Sequence, residues 1–272
     1  ILARANLLPD VSEKARKESR GRVIAIVAPK GGSGKTALAV NLAVALAHRH
    51  PSKAALVDLD LLFGDVTNAL LLNPEHSIAD ALDAPSLDPT LLKVLLTRRE
   101  RDLFVLTAPD SPALGEMVTE DLVTSAIDGM SSQFDYIVVD TAAGLSEVTL
   151  AAIEKADDIV FICDMSVSAV RGLHKVISAL HTLDMLREKK RHFILNRADS
   201  KVGISIADVE AAVGLSVDVR LPSSRLVPRS MNEGTPLVES SPKAPVARSL
   251  LEVADLFSPI DTPVKSSRRR RQ

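Results

Sequence analysis

Residues 22–36 most narrow what this chain can become. A near-continuous apolar run, Arg22-Val23-Ile24-Ala25-Ile26-Val27-Ala28, feeds directly into Pro29-Lys30-Gly31-Gly32-Ser33-Gly34-Lys35-Thr36, and helical spacing follows to His48. A β-branched run that is apolar at both alternations reads as a strand covered on both faces, as in a parallel sheet. Glycines at 31, 32 and 34 let the next stretch of backbone take conformations closed to other residues. Together with Ser33 they can aim amide N–H groups at phosphate oxygens lodged at the positive end of a helix. Lys35 would neutralise those oxygens, each charged hydrogen bond contributing about 1.5–3 kcal/mol, and Thr36 offers a hydroxyl to Mg²⁺. A simple turn would not need three glycines followed by Lys-Thr.

The strand pattern recurs at residues 54–60, 103–108, 134–140 and 157–163, and again at 192–196 and 217–222. Helical segments with recognisable starts lie between them: Asp88 with Pro89 at the first helical position, and Thr119 before Glu120-Asp121-Leu122. Gly214 would end a helix over residues 206–213. This alternation predicts an α/β fold, a doubly wound and mostly parallel sheet with helices on both faces and ligands at the carboxyl ends of the strands. With 3% aromatic residues and no Trp, the interior is Ala, Val, Leu and Ile, and no aromatic surface for stacking bases is available. The single cysteine, Cys163, sits in the apolar run 159–162 and reads as buried. With no disulfide available within one chain, a reducing cytoplasm is the natural compartment. The spacing of His174 and His181, two helical turns, does not suit a zinc pair.

Two acidic positions complete the candidate site. Val57-Asp58-Leu59-Asp60 ends the second strand, where two-residue spacing predicts that both carboxylates share one side. The run Phe134-Asp135-Tyr136-Ile137-Val138-Val139-Asp140 delivers a further carboxylate from an apolar strand. The ordinary phosphate-loop pattern wants glycine where Pro29 stands, but K-G-G-x-G-K-T fits, and here the chain resembles the MinD and ParA superfamily of deviant Walker A P-loop ATPases over about residues 22–257. The resemblance implies ATP and Mg²⁺ as cofactors. Lys30 would be the signature lysine that crosses an ATP-dependent homodimer to the partner's phosphate, as an arginine finger does. Asp60 would position the attacking water, Asp58 would support the magnesium shell, and Asp140 would reach the ion through water. Thr141-Ala142-Ala143-Gly144 resembles the second switch, without its usual proline. Asn196, after Phe193-Ile194-Leu195, would read the adenine, and Pro222 would pack against it.

Within the superfamily, Leu59-Asp60-Leu61-Leu62-Phe63-Gly64-Asp65-Val66 resembles the CpaE and TadZ pilus-assembly ATPases, where plasmid-partition members carry Pro-Gln-Gly. Ala108-Pro109 and residues 232–238 fit the same subfamily. The implied function is an ATP-driven dimer switch, slow in hydrolysis, that localises pilus or secretion machinery at a cell pole. The alternatives are a partition or division-site ATPase binding DNA or anionic membrane, and a nucleotide-holding scaffold without hydrolysis. Iron–sulfur relatives need several cysteines, and tyrosine-kinase relatives need a tyrosine-rich tail, whereas Tyr136 is the only tyrosine.

Charge is unevenly spread. Residues 1–22 carry +3 and the tail from Lys265 to Arg271 carries +5, so the net charge of −2 leaves −10 for residues 23–264. An acidic body gives no general footprint for DNA, and five basic tail residues give a weak, salt-sensitive attraction to an anionic surface. The expected organisation is a basic linker at 1–21 following an upstream receiver-like domain, an ATPase domain at 22–257, and a disordered basic tail at 258–272.

Overall fold

A computed structural model describes residues 20–84, 86–100, 103–200 and 202–258. The expected linker and tail therefore lie largely outside the described residues. In chain order the elements are β1 (Arg22–Val27), α1 (Lys35–Arg49), β2 (Ala54–Leu59), α2 (Val66–Ala69), a 3₁₀ turn (Ile78–Ala81), α3 (Pro89–Leu95), β3 (Leu96–Arg99), β4 (Leu103–Leu106), α4 (Pro112–Gly115), α5 (Glu120–Ser131) and β5 (Tyr136–Thr141). There follow α6 (Glu147–Lys155), β6 (Asp158–Asp164), α7 (Val167–Thr182), β7 (Lys190–Asn196), α8 (Ile206–Val213), β8 (Val219–Leu221), α9 (Leu226–Asn232), α10 (Leu237–Ser240) and α11 (Pro245–Asp255).

Among the described residues the strands form one sheet in the order β3-β4-β2-β5-β1-β6-β7-β8, parallel throughout except where β3 pairs antiparallel with β4. The α/β architecture read from the sequence is the one observed. β1 lies between β5 and β6, so the strand order reverses beside the loop that leaves its carboxyl end. Its residues divide by alternation: Ile24 and Ile26 face α1, α10 and α11, while Val23 and Ala25 face α5 and α6. Val27 joins the cluster built on α7 and α8. All five are fully buried.

The polar interruption of α1 has a packing cause. Asn41 is 1% exposed, donates to the Ala37 carbonyl and accepts from the Val238 N–H, tying α1 to α10. Predicted caps are present: Asp88 accepts from the N–H of Thr90 and Leu91, Thr119 from that of Leu122, and Gly214 closes α8 at φ 77°. Cys163 is fully buried, and burial pushes its thiol up to about 12.

Two expectations need correction. Residues 96–99 were not expected as a strand, because Leu-Thr-Arg-Arg is short, half polar and follows a helix without a break. An edge strand tolerates that composition, and Arg99 is held in a two-point pair with Glu239 at 2.7 and 3.2 Å. The ordered body also runs one residue further than expected. Ser258 is buried, its hydroxyl meets His50 Nε2 at 2.6 Å, and its carbonyl accepts from Arg49. No described helix is long and apolar enough to cross a membrane.

At the end of the sheet away from the loop, Asp158 is 1% exposed and receives Arg22 at 2.6 and 2.8 Å and His192 Nε2 at 2.9 Å. Burial pushes its carboxyl up, but these partners outweigh burial and hold it below the usual range. Arg22 also donates to the Phe257 carbonyl, which fastens the end of the α11 segment to β1.

Candidate nucleotide site

Between β1 and α1 the chain turns through Gly32 at φ 73° and Gly34 at φ 94°, the latter standing at the N-cap of α1. These are backbone states that favour glycine. Gly34 is doubly required, because a Cβ there would lie 2.6 Å from Asn196 Nδ2. Gly31 and Gly32 differ: a Cβ at either would meet nothing within 4 Å, so the loop opens onto free space. The first turn of α1 holds no acidic residue and its N-cap supplies no side-chain hydrogen bond. Its amide groups are therefore left for an anion. Ser33 is 1% exposed and its hydroxyl has no partner, while Lys35 is 6% exposed and Thr36 is half-buried.

The acids converge on the same end of the sheet. β2 and β5 are parallel neighbours, and Asp58 lies opposite Asp140 in their register. Asp140 is fully buried and neither carboxylate oxygen has a hydrogen-bond partner. Burial pushes it up to about 7, with Asp60 and Asp65 adding to the rise and the Thr36 hydroxyl and Lys35 ammonium opposing it. Such a buried, unpartnered carboxylate beside a Thr hydroxyl and further acids is a donor set that a hard divalent cation fits.

Asp58 is placed differently from the simple alternation argument. β2 ends at Leu59, so strand geometry no longer governs Asp60. Asp58 is 1% exposed, with Oδ1 accepting from the Asp60 N–H at 3.1 Å and Oδ2 from the Val66 N–H at 3.3 Å. It therefore holds the loop that follows β2, while Asp60 is half-buried at that loop's start. Burial and the neighbouring Asp140 charge push Asp58 well above the usual carboxylate range, against those two backbone donors.

Lys30 is exposed on the loop, and its ammonium donates to Ser168 Oγ at 2.9 Å and Ser166 Oγ at 3.4 Å at the start of α7. Thr141 donates its hydroxyl to the Ile26 carbonyl at 2.7 Å, and the Gly144 N–H reaches the Ala28 carbonyl, so residues 141–144 hang on the end of β1. Asn196 donates from Nδ2 to the Ser33 carbonyl at 2.9 Å and accepts the Arg197 N–H on Oδ1. One N–H and one lone pair of its amide remain for a base. Pro222 follows Leu221, the register neighbour of Asn196, so both stand at adjacent strand ends.

Three contributors went unread. Ser166 and Ser168 receive Lys30, and the only signal for them was a serine at a helix start. Gly64 is the third: a Cβ there would come within 2.5 Å of Asp58 Oδ2. A lone glycine just after a paired-acid strand end could have suggested such an approach. The other predicted residues are brought to one edge of the sheet. Among the described residues no group of three or more His, Cys, Asp or Glu forms a self-sufficient metal cage, so a cation here would share its shell with Thr36 and water.

The AAA domain family model (AAA_31) matches residues 21–194. The septum site-determining protein MinD of Synechocystis sp. is 29% identical over 223 residues, covering 80% of this chain and 82% of that protein. The chromosome partitioning protein ParA of Myxococcus xanthus is 28% identical over 266 residues and 92% of each chain. Among solved structures, MinD of Pyrococcus horikoshii complexed with Mg-ADP superposes with a TM-score of 0.77 at 21% identity, covering 88% of this chain and 96% of that one. With the family model covering well over half its length, the chain belongs to the MinD/ParA superfamily of P-loop ATPases.

Proposed function

We propose that the chain is an ATP-binding and slowly hydrolysing switch that pairs with a second copy of itself when ATP is bound and parts after hydrolysis. The observation that carries this is the unpartnered Asp140 carboxylate, fully buried beside Lys35 and Thr36 at an open helix N-terminus. The loop amides of residues 31–34 and Lys35 would hold the phosphates, and Asn196 with Pro222 would face the adenine. Thr36 and Asp140, with Asp58 behind them, would hold Mg²⁺, which neutralises phosphate charge when bound. Asp60, at the mouth of the site, is placed to orient water. Lys30 reaches Ser166 and Ser168 rather than its own phosphate loop, which leaves it available to a partner's phosphate. Loss of γ-phosphate would then remove the contacts that favour the pair.

For the machinery positioned, the names of the relatives favour a role in septum-site determination or chromosome partitioning. The polar pilus or secretion reading is kept on one observation: the distinctive stretch 59–66 lies at the site itself, with Gly64 against Asp58. We place the protein in the cytoplasm, at the inner face of the membrane when docked.

Solution mass by light scattering tests the switch. A dimer seen with Mg·ATP but not Mg·ADP, accumulating in Asp60→Ala and lost in Lys30→Ala, is expected. A mass indifferent to nucleotide in all three proteins would replace the switch with a nucleotide-holding scaffold. ATP-dependent, salt-sensitive retention on DNA or anionic vesicles would favour the partition or division role, and its absence the pilus role.

A further inference from the structure

Gly172 lies inside a long helix whose own backbone has no use for a glycine. It is the sixth residue of α7, and its φ is not left-handed, unlike that of Gly32 or Gly34. A glycine at such a position destabilises a helix relative to alanine. What Gly172 supplies is room. A Cβ there would lie 2.8 Å from Pro29 Cβ and 3.4 Å from its Cγ, so the helix backbone rests on the proline ring just past the end of β1. Gly129 in α5 is unlike it, since a Cβ there would meet only the tip of Leu92, which can turn aside. Pro29 has no such freedom, because its Cβ belongs to a ring closed on the backbone. The ring on the loop and the gap in the helix fit each other.

Lys30 follows Pro29 directly. The proline ring fixes φ at Pro29 and biases Ala28 toward extended backbone, so Lys30 leaves the sheet from a set point. On α7, Ser168 stands four residues before Gly172 and shares its face. Ser168 accepts the Lys30 ammonium at 2.9 Å, with Ser166 at 3.4 Å. Another side of α7 is already committed: Ala169, Val170 and Leu173 are buried in the cluster that includes Val27. The helix therefore cannot roll to relieve a clash at Gly172. We infer that Gly172 is a positioning residue for Lys30: by letting α7 rest on Pro29, it sets the helix start at the distance where Ser168 and Ser166 hold the ammonium. A methyl at position 172 would begin 2.8 Å from Pro29 Cβ and needs about 3.5 Å, so helix and loop would part by about 0.7 Å. That is enough to carry Ser166 out of hydrogen-bond range and to stretch the bond to Ser168. Only the link to pairing rests on the reading of Lys30 as the residue that crosses to a partner's phosphate; the contact and the hold on the ammonium do not.

The test reads Lys30 in nucleotide-free protein, so that its failure is distinct from failure of the ATP switch. Trace acylation with acetic anhydride, followed by peptide mass spectrometry, gives the rate at which the Lys30 amine reacts relative to Lys53, which precedes β2 at the opposite end of the sheet. Gly172→Ala should speed Lys30 at least about twofold, the change in free population that losing one net hydrogen bond allows. Ser168→Ala, which removes the nearer acceptor and leaves the helix contact alone, should do the same. Pro29→Gly takes the ring away, so Gly172→Ala added to it should change the rate no further. Binding of Mg·ADP by Gly172→Ala, close to that of wild type, shows that the loop remains folded. Equal acceleration by Gly172→Ala with and without Pro29→Gly would overturn the proposal, since the effect would then owe nothing to the ring. So would no acceleration in either background. Light scattering with Mg·ATP separates the two readings: a dimer indifferent to all these variants, with the labelling pattern as expected, would remove Lys30 from pairing and leave its positioning by Gly172 in place.

Discussion

Asp140 makes stability and function oppose each other in a way that titration can read. Its carboxyl moves from an ordinary 3.8 to about 7, first through burial, with the Thr36 hydroxyl and Lys35 opposing and Asp60 and Asp65 assisting. Between those two values the unfolded chain has released this proton and the folded chain retains it. The folded state therefore binds more protons, and stability falls as pH rises through the window, levelling once pH exceeds about 7. A shift of about 3 units at 1.36 kcal/mol each corresponds to about 4 kcal/mol, a large part of the roughly 5–15 kcal/mol that holds a domain folded. Asp58, raised by burial and by the Asp140 charge, slopes the same way. The carboxyls held low, Asp158 among them, titrate below this window.

Asp140→Asn removes the titration while keeping shape. Urea unfolding followed by circular dichroism, from about pH 5 to about pH 8 without nucleotide or Mg²⁺, should show wild type losing about 2–4 kcal/mol that the variant does not lose. Near pH 8 the variant should melt about 5–10 °C higher yet bind Mg·ATP worse, since the charge that burdens the empty fold is the one a cation needs. Parallel pH slopes for the two proteins, or wild-type stability that rises across the window, would refute the reasoning.

Two other perturbations follow from close approaches within the fold. Gly64→Ala drives a methyl to 2.5 Å from Asp58 Oδ2, and the carboxylate must leave one of its backbone donors; an unfolding cost of about 2 kcal/mol and weaker binding of a fluorescent ATP analogue with Mg²⁺ are expected, checked by urea titration and fluorescence. Asp158→Ala strands the Arg22 and His192 side chains at the base of β1, so a loss of about 3–5 kcal/mol is expected in urea unfolding. Because the Asp158 carboxyl is held low, that difference should be full near neutral pH and shrink as acid protonates wild-type Asp158.

How far the sequence revealed this site depended on how locally each part is determined. The phosphate loop was legible because its requirements are local: a strand covered on both faces, positive φ at Gly32 and Gly34, and a helix start with no acid of its own. Asp140 was legible for the same reason, being delivered by a strand whose four preceding residues, 136–139, are all half-buried or buried. β3 was hidden because an edge strand needs only one neighbour, and its alignment is fixed by β4 and by Glu239, 140 positions beyond Arg99. Asn196 shows the same limit at the site. Its amide was expected to face a base, and the structure also has it holding the Ser33 carbonyl, a bond between residues 163 positions apart. That bond presses the amide on Gly34, where a methyl has no room. The glycine that reads from sequence as freedom for the loop is also the floor on which the residue at the end of β7 rests. Phosphate loop and adenine side are thus mechanically one unit: Asn196→Ala should loosen the loop as well as the base contact, lowering affinity for ADP and for inorganic triphosphate alike. Loss confined to adenine-bearing ligands would show that Asn196 acts on the base alone.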